Sequence, residues 1–187
     1  MRKGLLLLLF GLLILRAWGQ EKGDSLDVNE LGIDGFVHAS TQGGTFGFGL
    51  KYAFVRNKDF AFGPSLRYHR SWSNYAGVRT SFNIYGGGFF AHYRFRNLLF
   101  AGGEFEVLKS PLNFTISNSI TNWVPTFFVG GGFSRLFEPT RIRLNAGMFY
   151  DLVNSPNSPF RLNYVAKNSN GMLLPFIYRI GVFIKLD

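Results

Sequence analysis

Large apolar residues fall on every second position of the segment Thr45 to His69. Phe46, Phe48, Leu50, Tyr52 and Phe54 alternate with Thr45, Gly47, Gly49, Lys51 and Ala53. After the turn-forming residues Arg56 to Asp59 the alternation resumes, with Phe60, Phe62, Leu66 and Tyr68 set against Ala61, Gly63, Ser65, Arg67 and His69. A period of two is that of a strand, whose successive side chains point to opposite faces, so the segment predicts a hairpin. Each arm is long enough to cross a bilayer as a strand, which takes about 9–11 residues.

The pattern repeats along the chain. A first strand is expected from about Leu31 to Ser40, turned by Thr41 to Gly44 into the hairpin. A polar and aromatic loop, Ser71 to Arg79, leads to a fourth strand over Thr80 to Phe95. There the phase shifts, with Phe82 and Ile84 on even positions and Phe89, Ala91, Tyr93 and Phe95 on odd ones. A bulge at Gly86-Gly87-Gly88 is expected to restore one outward face. Further strands are expected over Leu98 to Leu108, Trp123 to Phe137, Thr140 to Leu152 and Leu173 to Leu186. In the last, Phe176, Tyr178, Ile180, Val182, Ile184 and Leu186 share one face.

These are eight strands, an even number. The connections after the second, fourth and sixth are short; those after the third, fifth and seventh are long, while the one after the first is short and breaks the pattern. With large apolar side chains on one face and small or charged ones on the other, the arrangement predicts an all-β chain. The fold expected is an eight-stranded antiparallel up-and-down transmembrane β-barrel, rings toward lipid and charges inside.

Composition sharpens this picture. Glycine makes up 23 of 187 residues, about 12% against a usual ~7%, which suits strands that bend and approach closely. Mean hydropathy is close to zero, too low for a bundle of membrane helices. The absence of cysteine rules out a disulfide framework and thiol chemistry. Met1-Arg2-Lys3, the apolar run Gly4 to Leu15, and Ala17-Trp18-Gly19 form a secretory signal peptide over residues 1–19, with cleavage before Gln20. A polar N-terminal tail, 20–30, would precede the barrel domain, 31–187. Loss of the leader removes Arg2, Lys3 and Arg16 from a formal charge of +9. The remaining basic residues are spaced singly along strands, which argues against nucleic acid as a partner.

The leader, the run Val124 to Phe133, Phe149 to Leu152 with Asn154 to Phe160, and the closing Pro175 to Leu186 resemble the small outer-membrane β-barrel proteins of the OmpA/OmpX-like type. Among these, the chain most resembles the uncharacterised ones common in Bacteroidetes. The resemblance implies a Gram-negative cell outer membrane, contact with outer-membrane lipid and lipopolysaccharide, and insertion by the outer-membrane assembly machinery. Asp24-Ser25-Leu26 also resembles the O-glycosylation triplet of that phylum.

An eight-stranded barrel is just wide enough to be filled by its own side chains. Arg67, His69, Arg94, Glu104, Glu106, Arg143 and Arg179 are expected inside as a charge network, together with His92, Asp151 and Lys185. Charges sealed from water must pair. The expected role is therefore non-catalytic, a filled monomeric barrel serving membrane structure or surface interaction. A narrow, porin-like pore for small solutes is the alternative. A second alternative is a lipid A-modifying hydrolase. His38-Ala39-Ser40 and His69-Arg70-Ser71, with a Glu, resemble the catalytic set of outer-membrane lipid A deacylases, where His is base and Ser nucleophile. No metal-ligand or cofactor motif is present. Trp72, Tyr75, Arg79, Lys109, Arg161 and Lys167, on the long loops, are candidates for binding lipopolysaccharide phosphates or an external partner. Most of the loop aromatics Trp72, Tyr75, Phe114, Phe160 and Tyr164 are expected in the aromatic girdle at the membrane rim.

Overall fold

The computed structural model describes residues 28–40, 43–75, 78–110, 123–161, 164–167, 169–170 and 173–186. The predicted signal peptide, the Asp24-Ser25-Leu26 triplet and Phe114 lie outside them. Among the described residues there are ten strands: β1 Val28–Ser40, β2 Gly43–Arg56, β3 Phe60–Tyr75, β4 Val78–Phe95, β5 Leu99–Lys109, β6 Trp123–Phe137, β7 Ile142–Asp151, β8 Ala166–Lys167, β9 Leu173–Leu174 and β10 Phe176–Lys185. Eight of them close a barrel in the order β1-β10-β7-β6-β5-β4-β3-β2, every neighbour antiparallel. β8 and β9 form a separate two-stranded ribbon.

The register is staggered. A path of paired residues runs Val28, Val55, Ala61, His92, Gly102, Gly130, Phe149, Ile177. Continuing the β1–β10 register returns it to β1 opposite His38, not Val28. Such a stagger tilts the strands against the barrel axis and fixes a narrow bore.

The faces sort as the alternation requires. Phe48, Leu144 and Ile180 are 49%, 45% and 61% exposed on the outer wall, whereas Arg67 and Glu104 are 2% and 1% exposed inside. The outer wall carries Leu31, Ile33, Phe46, Leu50, Phe89, Phe105, Val129 and Val182 around its circumference. Its charged residues, among them Arg56, Arg70, Lys109 and Arg135, sit toward strand ends. Tyr85, packed edge-on to Trp123, and Phe46 against Trp72 mark one rim; Tyr93 against Phe95 marks the other. An apolar belt of this extent faces lipid in a membrane barrel and would be an aggregation surface in water.

Several sequence-based expectations need correction. The tail expected over 20–30 ends earlier, because Val28–Glu30 already belong to β1 and the Glu30 carboxylate is held inside by Arg94. No bulge occurs at Gly86-Gly87-Gly88: β4 pairs with β3 and β5 without a break in register. Ile84 therefore points inward and is 1% exposed. The glycines act through close approach instead. A Cβ on Gly88 would fall 1.7 Å from the Phe105 carbonyl oxygen. The long loop expected after the third strand is strand, since β3 and β4 stay paired out to Tyr75 and Val78. The last strand is interrupted at Pro175, which lacks the N–H a ladder needs; its carbonyl accepts the Asp151 N–H at 2.8 Å. β7 starts at Ile142, after a single 3-10 turn, Glu138–Thr140.

The short-turn end is built by local chemistry. Asn57, Lys58, Arg96 and Asn97 all have φ between 47° and 62°. Paired left-handed residues give the twist that two-residue hairpins favour, and Asn tolerates it best.

Candidate functional site

The interior is stacked in layers along the barrel axis. At mid-depth three acids, Asp34, Glu104 and Glu106, meet three cations, Lys51, Arg67 and Arg179. Lys51 Nζ lies 2.6 Å from Asp34 and 2.5 Å from Glu104. Arg67 donates to Asp34 and, through Nη2 at 2.8 Å and Nε at 3.1 Å, to Glu106. Arg179 donates to Glu104 and lies 3.3 Å from Glu106. His92 Nε2 sits 3.0 Å from Glu104. The formal charges cancel, which is the condition for placing six ions where water is excluded. A void of about 20 Å³ is lined by members of this layer. That is room for about one water molecule and none for a hydrated ion.

Apolar layers cover both sides. Toward the short turns lie Ala53, Val55, Ala61, Phe90 and Phe183. Toward the long loops lie Phe36, Ile84, Leu108, Phe128, Phe149 and Ile177, with Phe160 and Tyr164 of the β7–β8 connection inserted among them. Phe160 is fully buried. Its ring stacks on His69 at 5.1 Å, meets Phe128 edge-on at 4.9 Å, and lies 5.5 Å from the Arg179 guanidinium. Asp151 ties the connection down. It accepts the N–H groups of Val153 and Asn154 at 3.1 Å and the Tyr164 hydroxyl at 3.1 Å. Burial, with the Asp151 carboxylate close by, pushes the Tyr164 phenol above its ordinary range. The girdle positions expected for Phe160 and Tyr164 are thus wrong: both residues fill the mouth.

A second ionic layer occupies the short-turn end. Arg94 grips Glu30 with two hydrogen bonds of 3.0 and 2.6 Å. Arg143 Nε lies 3.7 Å from Glu30 Oε1, and its Nη1 donates to Asn97 at 2.9 Å and Ser134 at 3.1 Å.

Of the residues singled out in the sequence, Arg67, Glu104, Glu106 and Arg179 meet in the central layer, while Arg94 and Arg143 belong to the end layer. His69 joins neither; it packs between Phe36 and Phe160. Lys185 sits half-buried at the short-turn rim. Sequence reasoning placed Lys51 on the inner face but left it out of the charge network, and it did not place Glu30 or Asp34 inside at all. Trp72, Arg79 and Lys109 lie on strands, not loops; Lys109 donates to the Tyr85 hydroxyl at 3.2 Å on the outer rim. Arg161 directly follows the buried Phe160 and is half-buried. The side chains of Tyr75 and Lys167 lie outside what is described. The His69–Ser71 pair does not assemble as a catalytic set: Ser71 bonds to Thr45 at 3.0 Å while the His69 ring is enclosed by phenylalanines. His38, by contrast, is exposed on the wall, and the Ser40 side chain is outside the described set.

No protein-family model matches the sequence, and no curated protein sequence does. Among solved structures the chain is similar to the Yersinia pestis outer membrane protein Ail, whose backbone structure was determined in a phospholipid bilayer nanodisc. Identity is 14%, the match covers 86% of this chain and 99% of that one, and the TM-score is 0.49. The barrel assignment therefore rests on this chain's own strand register.

Proposed function

We propose that this protein is an integral outer-membrane β-barrel that conducts no solute and catalyses no reaction, serving membrane structure or presentation of its loop end. The observation that supports this most directly is the pairing of an apolar outer belt with a charge-neutral, sealed centre. The predicted signal peptide supports export to that membrane. The decisive measurement is planar-bilayer recording of the refolded protein. The expected trace is flat, and it stays flat for Phe160→Ala, because the ionic layer beneath still closes the bore. Steady single-channel conductance in the native chain would overturn the sealed reading in favour of the narrow pore.

One observation favours a surface contact with lipopolysaccharide. Arg70, Trp72, Arg79 and Ser81 line an outward cleft of about 460 Å³ on the β3–β4 hairpin. Guanidinium groups beside an aromatic ring suit phosphate at a membrane rim. Reversing the charge of Arg79, Lys109, Arg161 and Lys167 together is expected to weaken lipopolysaccharide binding to the reconstituted barrel. Unaltered binding would remove this role.

A further inference from the structure

We propose that the short-turn mouth of the barrel is a binding cup for a small oxyanion, a phosphate or carboxylate group presented from the periplasmic side. The cup has a volume of about 490 Å³ and is lined at depth by Glu30, Arg94 and Arg143. Its floor is the apolar layer of Val55 and Phe183, over which the Arg94 guanidinium lies at 5.9 Å. It is therefore a blind cup and not the entrance to a channel.

Charge count separates it from the central layer. Two guanidiniums, 2% and 5% exposed, converge on the single carboxylate of Glu30. One deep positive charge is left over among the described residues. The Nε groups of Arg94 and Arg143 are buried and make no hydrogen bond among those residues. A buried cation without a counter-charge is costly unless an anion or water reaches it, and here the space in front of it is open. The rim adds Lys58, Arg96 and Lys185 against Asp59 and Glu138, so the lining as a whole remains positive. Arg143 is also held in place. Asn97, in the left-handed turn, accepts from Arg143 and from the Leu136 N–H at 2.8 Å, and donates back to the Leu136 carbonyl at 3.3 Å. A guanidinium fixed in this way is preorganised for an oxyanion, whose oxygens match its fork of N–H donors.

The test is a titration of the full mature chain, in phosphatidylcholine nanodiscs and phosphate-free buffer, with inorganic phosphate, followed by calorimetry and by the arginine Nε–H resonances. Saturable binding that shifts the Arg94 and Arg143 signals is expected. Arg143→Gln should weaken it about tenfold, the loss of one charge-assisted hydrogen bond. Glu30→Gln should strengthen it, because the competing carboxylate is gone. Heat-modifiable migration checks that each variant is folded, and Lys185→Gln, at the rim, gives a milder loss if a deep variant fails to fold. Repeating the titration in phosphatidylglycerol nanodiscs separates the sources. Abolished phosphate binding there assigns the cup to a lipid headgroup, and unchanged binding assigns it to a soluble ligand. Non-saturable binding, or an affinity indifferent to both Arg143→Gln and Glu30→Gln, overturns the proposal.

Discussion

The barrel contains two ionic layers that differ in stoichiometry and in cover. The central one matches three acids to three cations and is capped on both sides by aromatic and aliphatic side chains. The end layer sets two arginines against one glutamate and opens onto a cup. The same residue types thus serve opposite purposes. Balanced and covered, they fill space and lock strands together. Unbalanced and uncovered, they are left with capacity to bind.

The largest expected difference comes from removing one acid from each layer. Glu104→Ala leaves Lys51, Arg179 and His92 without their shared partner in a dry interior, and should cost about 3–5 kcal/mol. Glu30→Ala exposes its arginines to a cup that water can enter, and should cost about 1–3 kcal/mol. Urea unfolding of both variants in phospholipid vesicles, followed by tryptophan fluorescence, measures the gap; equal losses would erase the distinction between sealed and open layers.

A smaller effect is expected from the floor between the layers. A Cβ on Gly32 would fall 2.3 Å from the Phe183 ring. Gly32→Val must therefore displace Phe183 and should cost about 1–3 kcal/mol by overpacking. The same unfolding assay checks it, and a simultaneous change in the arginine resonances of the cup would show that Phe183 sets its depth.

The smallest effect is at the loop end. The Tyr164 phenol is raised by burial and by Asp151, so the folded state holds that proton more tightly than the unfolded chain does. Its contribution is complete below the ordinary phenol pKa of about 10 and is lost as pH climbs from there through the raised folded value. Ultraviolet titration should show one tyrosine ionising after the exposed ones, and Tyr164→Phe should remove that late step.

The sequence carried the barrel because alternation is a direct imprint of a two-sided wall. Phe48, Leu144 and Ile180 face outward, and Arg67 and Glu104 inward, on periodicity alone. Where glycine replaced the large residues, the imprint faded. Nothing in Gly86-Gly87-Gly88 distinguishes a bulge from a close strand contact, so Ile84 was assigned to the wrong face. The central layer was legible in part. Glu104 and Glu106 were read as partners of Arg67, Arg94, Arg143 and Arg179, of which only Arg67 and Arg179 reach them; Asp34 sits on a strand whose apolar alternation is weak, and Glu30 lies in a run whose other acids resemble a tail. Partner choice between layers was not legible, because a one-dimensional pattern gives the face of a side chain and not its height across a tilted barrel. The Phe160 plug was missed for a related reason: a loop phenylalanine carries no mark of whether it turns to lipid or into the bore.

The central layer also bears on how the molecule is made. Its acids come from β1 and β5, and its cations from β2, β3 and β10. Arg179 reaches Glu104 and Glu106 only once the final strand has zipped onto the first. Until that seam shuts, a nascent sheet holds a surplus of negative charge that it cannot bury. Neutralisation and closure are then a single event, and a chain truncated before β10 should stall as an open intermediate and never mature into a leaky cylinder.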